Sequence, residues 1–280
     1  MRVARAGSGP LVVMLHGFPE CWYSWRHQLR KLSDSFDCVA PEMRGYGETD
    51  APVGIENYTV EKLVGDVTDL IEAIGHRRAI VVGHDWGGGI AWATALMRPE
   101  CVERLIVLNC PHPKRFSEEL RRNPRQMLRS WYMLFFQIPA LPEAMFRARN
   151  FALLDRALME GTVRKDAITA EDMRYFRAAF ANPYSITAAI NYYRAAFRIG
   201  RRPSAYQWLD RKIAAPTMLI WGERDFALGK ELTRGMEPLF SGRFEIRYVP
   251  EAGHWVQQEE PERVSAWMRE FMSRPIENRR

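Results

Sequence analysis

Cysteine is scarce in this 280-residue chain, with only Cys21, Cys38, Cys101 and Cys110. Four are too few to staple a chain of this length, and none has metal-ligand spacing. Each sits beside apolar or strand-like sequence, which predicts small buried hydrophobes in a reducing compartment. Long apolar runs are also missing. Met1-Arg2-Val3-Ala4-Arg5 lacks the apolar core of a signal peptide. The most apolar stretch, Trp131 to Phe146, is interrupted by Gln137, Pro139, Pro142 and Glu143. It falls short of the ~20 apolar residues a bilayer span needs. A soluble, cytoplasmic protein without stable membrane insertion is therefore expected. There is no internal repeat and no low-complexity tract.

The composition is 47% hydrophobic and 26% charged, which excludes a disordered or collagen-like chain. The length exceeds the ~150-residue prior for one domain, but α/β folds reach ~250 residues as single units. One core with a sizeable insertion is the simplest reading. Net charge is +6, which permits weak attraction to anionic surfaces and says nothing of fold.

The first half alternates short apolar runs with amphipathic stretches. Leu11–Leu15, Cys38–Ala40, Ala79–Val82 and Leu105–Leu108 are partly β-branched and closed by His16-Gly17, Pro41, Gly83 and Asn109. Such runs mark strands buried on both faces of a parallel sheet. Thr59 is placed to cap a helix through Leu63, Val67, Leu70, Ile71 and Ile74, stopped by Gly75. The tail resumes the pattern with strands at Thr217–Trp221 and Phe244–Val249 and a helix from about Pro261 to Met272. A doubly wound, mostly parallel α/β sheet follows. The segment from Pro113 to Lys212 differs: it shows helical spacings, many aromatics and no strand-like run. It holds 19 Lys and Arg against 9 Asp and Glu, a net of +10. Scattered arginines alone do not make a nucleic-acid site, and none is expected.

The chemistry concentrates in four places. Gly83-His84-Asp85-Trp86-Gly87 has the small-x-acid-x-small pattern of a strand–turn–helix elbow that presents a nucleophile, with Asp where Ser is common. The following helix N-terminus favours the ionised carboxylate. His16-Gly17-Phe18-Pro19 follows the first strong strand, where the Phe18 N–H can pair with that of Trp86 as an oxyanion hole. Asp225 follows the strand ending at Trp221, and His254 the strand ending at Val249. Nucleophile, acid and histidine thus come in the chain order of α/β hydrolases, each just past a strand's C-terminal end.

These residues resemble the α/β-hydrolase superfamily and, within it, the epoxide hydrolases. The likeness runs nearly end to end. It takes in His16-Gly17-Phe18-Pro19-Glu20 with Trp22-Tyr23-Ser24-Trp25-Arg26, then Arg44-Gly45-Tyr46-Gly47-Glu48-Thr49-Asp50, the elbow, and Gly253-His254-Trp255. Phe135-Phe136-Gln137-Ile138-Pro139 and Pro111-His112-Pro113 are similar to the type 4 branch. The resemblance implies an α/β core over 1–112 and 213–280 and a helical cap over 113–212. It also implies a cis Phe18–Pro19 bond and two cap tyrosines that donate to the epoxide oxygen. Those tyrosines fall on Tyr132 and on Tyr193 of Asn191-Tyr192-Tyr193-Arg194. Adjacent helix positions point ~100° apart, so Tyr192 and Tyr193 cannot both face one pocket. With six residues before Gly7, the sheet is expected to have seven strands, the outermost of eight being missing.

An ionised Asp needs no base to attack carbon, so the implied reaction opens a small-molecule epoxide to an alkyl ester. His254 then activates water, oriented by Asp225, and releases a vicinal diol. No metal or organic cofactor is implied. Phe18, Trp86 and Trp131 are the expected substrate-binding side chains, and the chain is expected to be a monomer or homodimer. Two alternatives share this sequence pattern. One is a haloalkane or haloacid dehalogenase, with Trp86 and Trp131 as indole donors to halide. The other is a non-catalytic ligand-binding protein of the same fold.

Overall fold

The computed structural model describes residues 1–198 and 203–275; part of the expected cap range, 199–202, lies outside them. Among the described residues seven strands form one sheet: β1 Val3–Ala6, β2 Leu11–Leu15, β3 Asp37–Pro41, β4 Ala79–His84, β5 Val102–Leu108, β6 Thr217–Gly222 and β7 Phe244–Val249. Their spatial order is β1-β3-β2-β4-β5-β6-β7. β1 pairs antiparallel with β3, and every other pair is parallel. This is the α/β-hydrolase fold with the expected seven strands.

The α-helices are α1 Arg26–Leu32, α2 Val60–Ala73, α3 Trp86–Met97, α4 Pro113–Arg122, α5 Pro124–Arg129, α6 Trp131–Phe135, α7 Leu141–Asp155, α8 Asp172–Ala178, α9 Ser185–Arg198, α10 Val256–Glu259 and α11 Pro261–Ser273. Alternating side chains of the central strands go to opposite faces. Val13, Leu15, Val81 and Val107 join Val67 and Ile71 of α2 and Ala91 of α3. Val12, Met14, Val82 and Ile106 join Leu29 of α1 and Val264, Met268 and Phe271 of α11. That two-sided burial explains why β2 to β6 read as continuous apolar runs. Thr59 occupies the N-cap position of α2, but its side chain makes no capping hydrogen bond. Gly75 follows the helix at φ 94°, the left-handed stop that glycine permits. Among the described residues no helix is long and apolar enough to cross a membrane.

β5 and β6 are neighbours in the sheet, so the chain between them leaves and returns without disturbing the strand order. Helices α4 to α9 lie in this excursion. β3 and β4 flank β2 on opposite sides, so the winding reverses there. The crevice at such a reversal, beyond the strands' C-terminal ends, is where open sheets place their sites.

Glu42, just after β3, is buried, and its Oε2 finds no hydrogen-bond partner. Burial, partly offset by Arg2, lifts its carboxyl from an ordinary 4.5 to about 7. An acid raised in the folded state favours folding while protonated, so stability should fall as pH rises from about 4.5 to about 7. Glu42→Gln should flatten that slope and gain about 2 kcal/mol at alkaline pH, read from urea melts across the range.

Candidate active site

The elbow between β4 and α3 is built by close backbone approach. Asp85 sits at φ 48°, ψ −119°, a strained conformation for a residue with a side chain. A Cβ on Gly83 would lie 2.2 Å from Gly87 O, and one on Gly87 would lie 2.2 Å from Leu15 O. Only glycine fits on either side of the turn. The turn lifts Asp85 over the β2 loop, and the Phe18 N–H donates to Asp85 Oδ1 at 2.9 Å. The Phe18–Pro19 bond is cis. Trp86 opens α3, and its N–H is one of the first helical amides, which lack an intrahelical acceptor.

His254 lies between two carboxylates. Its Nε2 is 3.5 Å from Asp85 Oδ2, and its Nδ1 is 2.7 Å from Asp225 Oδ2. Burial alone would push the imidazole's pKa down. The charge and hydrogen bond of Asp225, with those of Asp85, outweigh burial and hold it well above the ordinary range. For Asp85 burial works upward, but His254, with His84 and the Phe18 N–H, keeps the carboxyl below its usual value. The residue expected as base thus touches both those expected as nucleophile and acid.

Both expected tyrosines face this centre. The Tyr193 ring packs edge-on against Trp86 at 4.9 Å, Phe18 at 5.6 Å and Phe136 at 4.8 Å. Tyr132 packs against Tyr193 at 5.9 Å. Burial first, and then the negative charge of Asp85, push the pKa of both phenols up, so both are protonated. Tyr192 turns the other way and donates its hydroxyl to Arg44 O at 2.8 Å. Trp131 does not join the site. It is 62% exposed and its ring lies tilted against Phe135. The one-turn helix α6 carries Tyr132 inward and therefore swings its neighbour Trp131 to solvent. The expectation that Trp131 binds substrate or halide is corrected accordingly.

Several supporting residues were not singled out from the sequence. Asn109, at φ 39° beyond β5, donates to Asp225 Oδ2 at 2.8 Å and binds the backbone of Gly222 through both ends of its amide. The N–H groups of Ala227 and Leu228 hold Asp225 Oδ1. Beneath the triad, the buried Glu20 carboxylate meets His84 Nδ1 at 2.7 Å, while His84 Nε2 meets His254 O at 2.8 Å. Gln257 and Gln258 donate to the other oxygen of Glu20. Buried Glu259 accepts from the N–H groups of Gly253, Val163 and Arg164. One carboxylate thereby ties the His254 loop to the excursion. Glu20 and His84 stood within recognisable motifs, whereas Asn109 carried only the signal of its place, a small amide just past a strand end. Among the described residues no cluster of three His, Cys, Asp or Glu is arranged to hold a metal ion.

The chain matches the family model for the alpha/beta hydrolase fold over residues 10–261. It is 39% identical to epoxide hydrolase 4 of Homo sapiens over 267 residues, 94% of this chain and 72% of that protein. It is 38% identical to the AB hydrolase superfamily protein YfhM of Bacillus subtilis, covering 97% of this chain and 94% of that one. The structure aligns with that of Bacillus megaterium epoxide hydrolase in complex with an inhibitor. The TM-score is 0.90 and the identity 33%, over 98% of this chain and 96% of the other. With the fold, the elbow and this likeness along nearly its whole length, the chain belongs to the α/β-hydrolase fold family and, within it, to the epoxide hydrolases.

Proposed function

We propose that Asp85 opens the epoxide by direct displacement and that His254 drives hydrolysis of the resulting ester. The observation that carries this reading is the placement of one carboxylate between a buried imidazole and two protonated phenols. Phe18 N–H already holds Asp85 Oδ1, which leaves Oδ2, 3.5 Å from His254 Nε2, as the oxygen that attacks a ring carbon. As the new C–O bond forms, the ring C–O bond breaks and the alkoxide takes a proton from Tyr132 or Tyr193. A phenol near pKa ~10 or above stays protonated at neutral pH and can supply that proton.

Esterification removes the charge of Asp85, and with it one of the influences that raise His254. The imidazolium can then return its proton to the tyrosinate, and the neutral imidazole takes a proton from water as the water attacks the ester carbon. Asp225 holds Nδ1–H and stabilises the imidazolium that forms. The tetrahedral oxyanion develops on Oδ1, against the N–H groups of Phe18 and Trp86, where preorganised donors act most strongly. Collapse releases a vicinal diol and restores the carboxylate. In this reading residues 1–112 and 213–280 are the catalytic core, and 113–212 form a cap that brings the tyrosines over Asp85. The outward turn of Trp131 leaves a halide one fewer indole donor and so favours the epoxide over a haloalkane. Asn109 positions Asp225 and does not touch substrate.

Asp85→Ala should lower diol formation from a simple aryl epoxide by at least ~10³-fold. His254→Gln should trap the ester, seen by mass spectrometry as a gain of one substrate mass; an unmodified protein after turnover would rule out the two-step path. Tyr132→Phe and Tyr193→Phe should each cost ~10²-fold in ring opening, and the double variant should approach background. Full activity in that double variant would exclude the phenols as donors. Asn109→Ala should lose ~1–3 kcal/mol of stability from its buried hydrogen bonds. It should also slow ester hydrolysis more than ester formation, read by single-turnover kinetics.

A further inference from the structure

The helices that bring Tyr132 and Phe136 to the site have a second face. Phe136 and Phe146 are buried beneath it. On the opposite side of the same turns, Leu128, Trp131 and Leu134 are 74%, 62% and 61% exposed. Among the described residues thirteen large hydrophobic side chains stand exposed, and seven of them fall between Met127 and Met145. They recur every three or four residues along α5, α6, the loop at Ile138 and the start of α7, and Trp131 and Leu134 share one side of α6.

Within residues 121–149 the exposed charge is of one sign. Residues 121–149 contain Arg121, Arg122, Arg125, Arg129, Arg147 and Arg149, all exposed. The one carboxylate in that span, Glu143, is buried in a two-oxygen pair with Arg194. Arg129 approaches Glu231 only to 3.9 Å. Arg147 donates to Pro183 O, which brings Tyr184, 61% exposed, to the edge of the band. Arg198 flanks the other end through Gln137.

We propose that this face docks the enzyme on an anionic lipid surface. Leucine and isoleucine side chains suit the acyl boundary, Trp131 and Tyr184 suit the interface, and arginines suit lipid phosphates. A second copy of the chain fits less well. A twofold contact sets a patch against itself, which would press six arginines on six with no exposed acid between them. An acidic soluble partner would meet the arginines but leave the apolar band in water. Docking of this kind is peripheral and needs no spanning helix. It would hold the pocket about one helix diameter from a phase into which apolar epoxides partition, ~10 Å.

Co-sedimentation of the full chain with vesicles of phosphatidylcholine, with and without phosphatidylglycerol, tests this. Binding to the anionic vesicles alone, weakened by added salt, is expected. Leu128→Ser with Leu134→Ser should weaken it by about tenfold or more. Arg121→Gln with Arg122→Gln and Arg125→Gln should do the same. Melting temperatures report whether each variant folds, and if the serine pair does not, the arginine variant decides alone. No vesicle binding, equal binding to neutral vesicles, or binding that survives in the folded variants would overturn the proposal. So would a dimer in sedimentation equilibrium that the serine pair abolishes while vesicles go unbound.

Discussion

Two carboxylates and one imidazole, shut away together, set the terms for the rest of this molecule. An ion removed from water costs several kcal/mol unless its partners are placed to replace hydration. Asp225 receives His254, Asn109 and the N–H groups of Ala227 and Leu228. Asp85 receives the Phe18 N–H beside the imidazole. Those donors come from the ends of β2, β5, β6 and β7, and the two carboxylates they serve from the ends of β4 and β6. Parallel strands in this order bring five loops to one edge of the sheet. The apolar strands thus have a chemical reason to be parallel: they deliver hydrogen-bond donors to one place.

A second buried acid–imidazole pair lies directly below. Glu20 is satisfied by His84, by Gly17 N–H and by the side-chain amides of Gln257 and Gln258. His84 Nε2 faces the carbonyl of His254, a group that only accepts, so this nitrogen carries hydrogen. The two histidine rings stand 4.8 Å apart between centroids. His84 precedes Asp85 in the chain and holds the backbone of His254, so a shift in the elbow would be felt at the base. Arg26 extends the network outward, donating to Gln258 and pairing with Asp172 in the excursion.

Much of this was legible because the strand ends are abrupt. Apolar runs that stop at His16, Gly83, Trp221 and Val249 put their next polar residues on one rim, and chain order then assigns roles. The choice of Tyr193 over Tyr192 needed only helical geometry and the resemblance. Other features depend on long-range contacts that no local pattern encodes. Asn109 meets Asp225 across 116 residues of sequence. Glu259 binds Val163 and Arg164 across 96 and 95. Trp131 was expected at the pocket as an indole donor, yet the inward or outward sense of a one-turn helix is set by what packs beneath it. Phe136, against Phe18 and Tyr193, fixes that sense.

The electrostatics also order the steps of the proposed reaction. In the resting site the charge of Asp85 raises the phenols of Tyr132 and Tyr193, after burial, and supports the proton on His254. Forming the ester cancels that one charge. The phenols then become better acids as the alkoxide appears, and the imidazole becomes a better base once a water is needed. A serine nucleophile could not act this way, because it is neutral before attack and would need the histidine in the first step. A carboxylate on the bend therefore couples both proton transfers to its own change of charge.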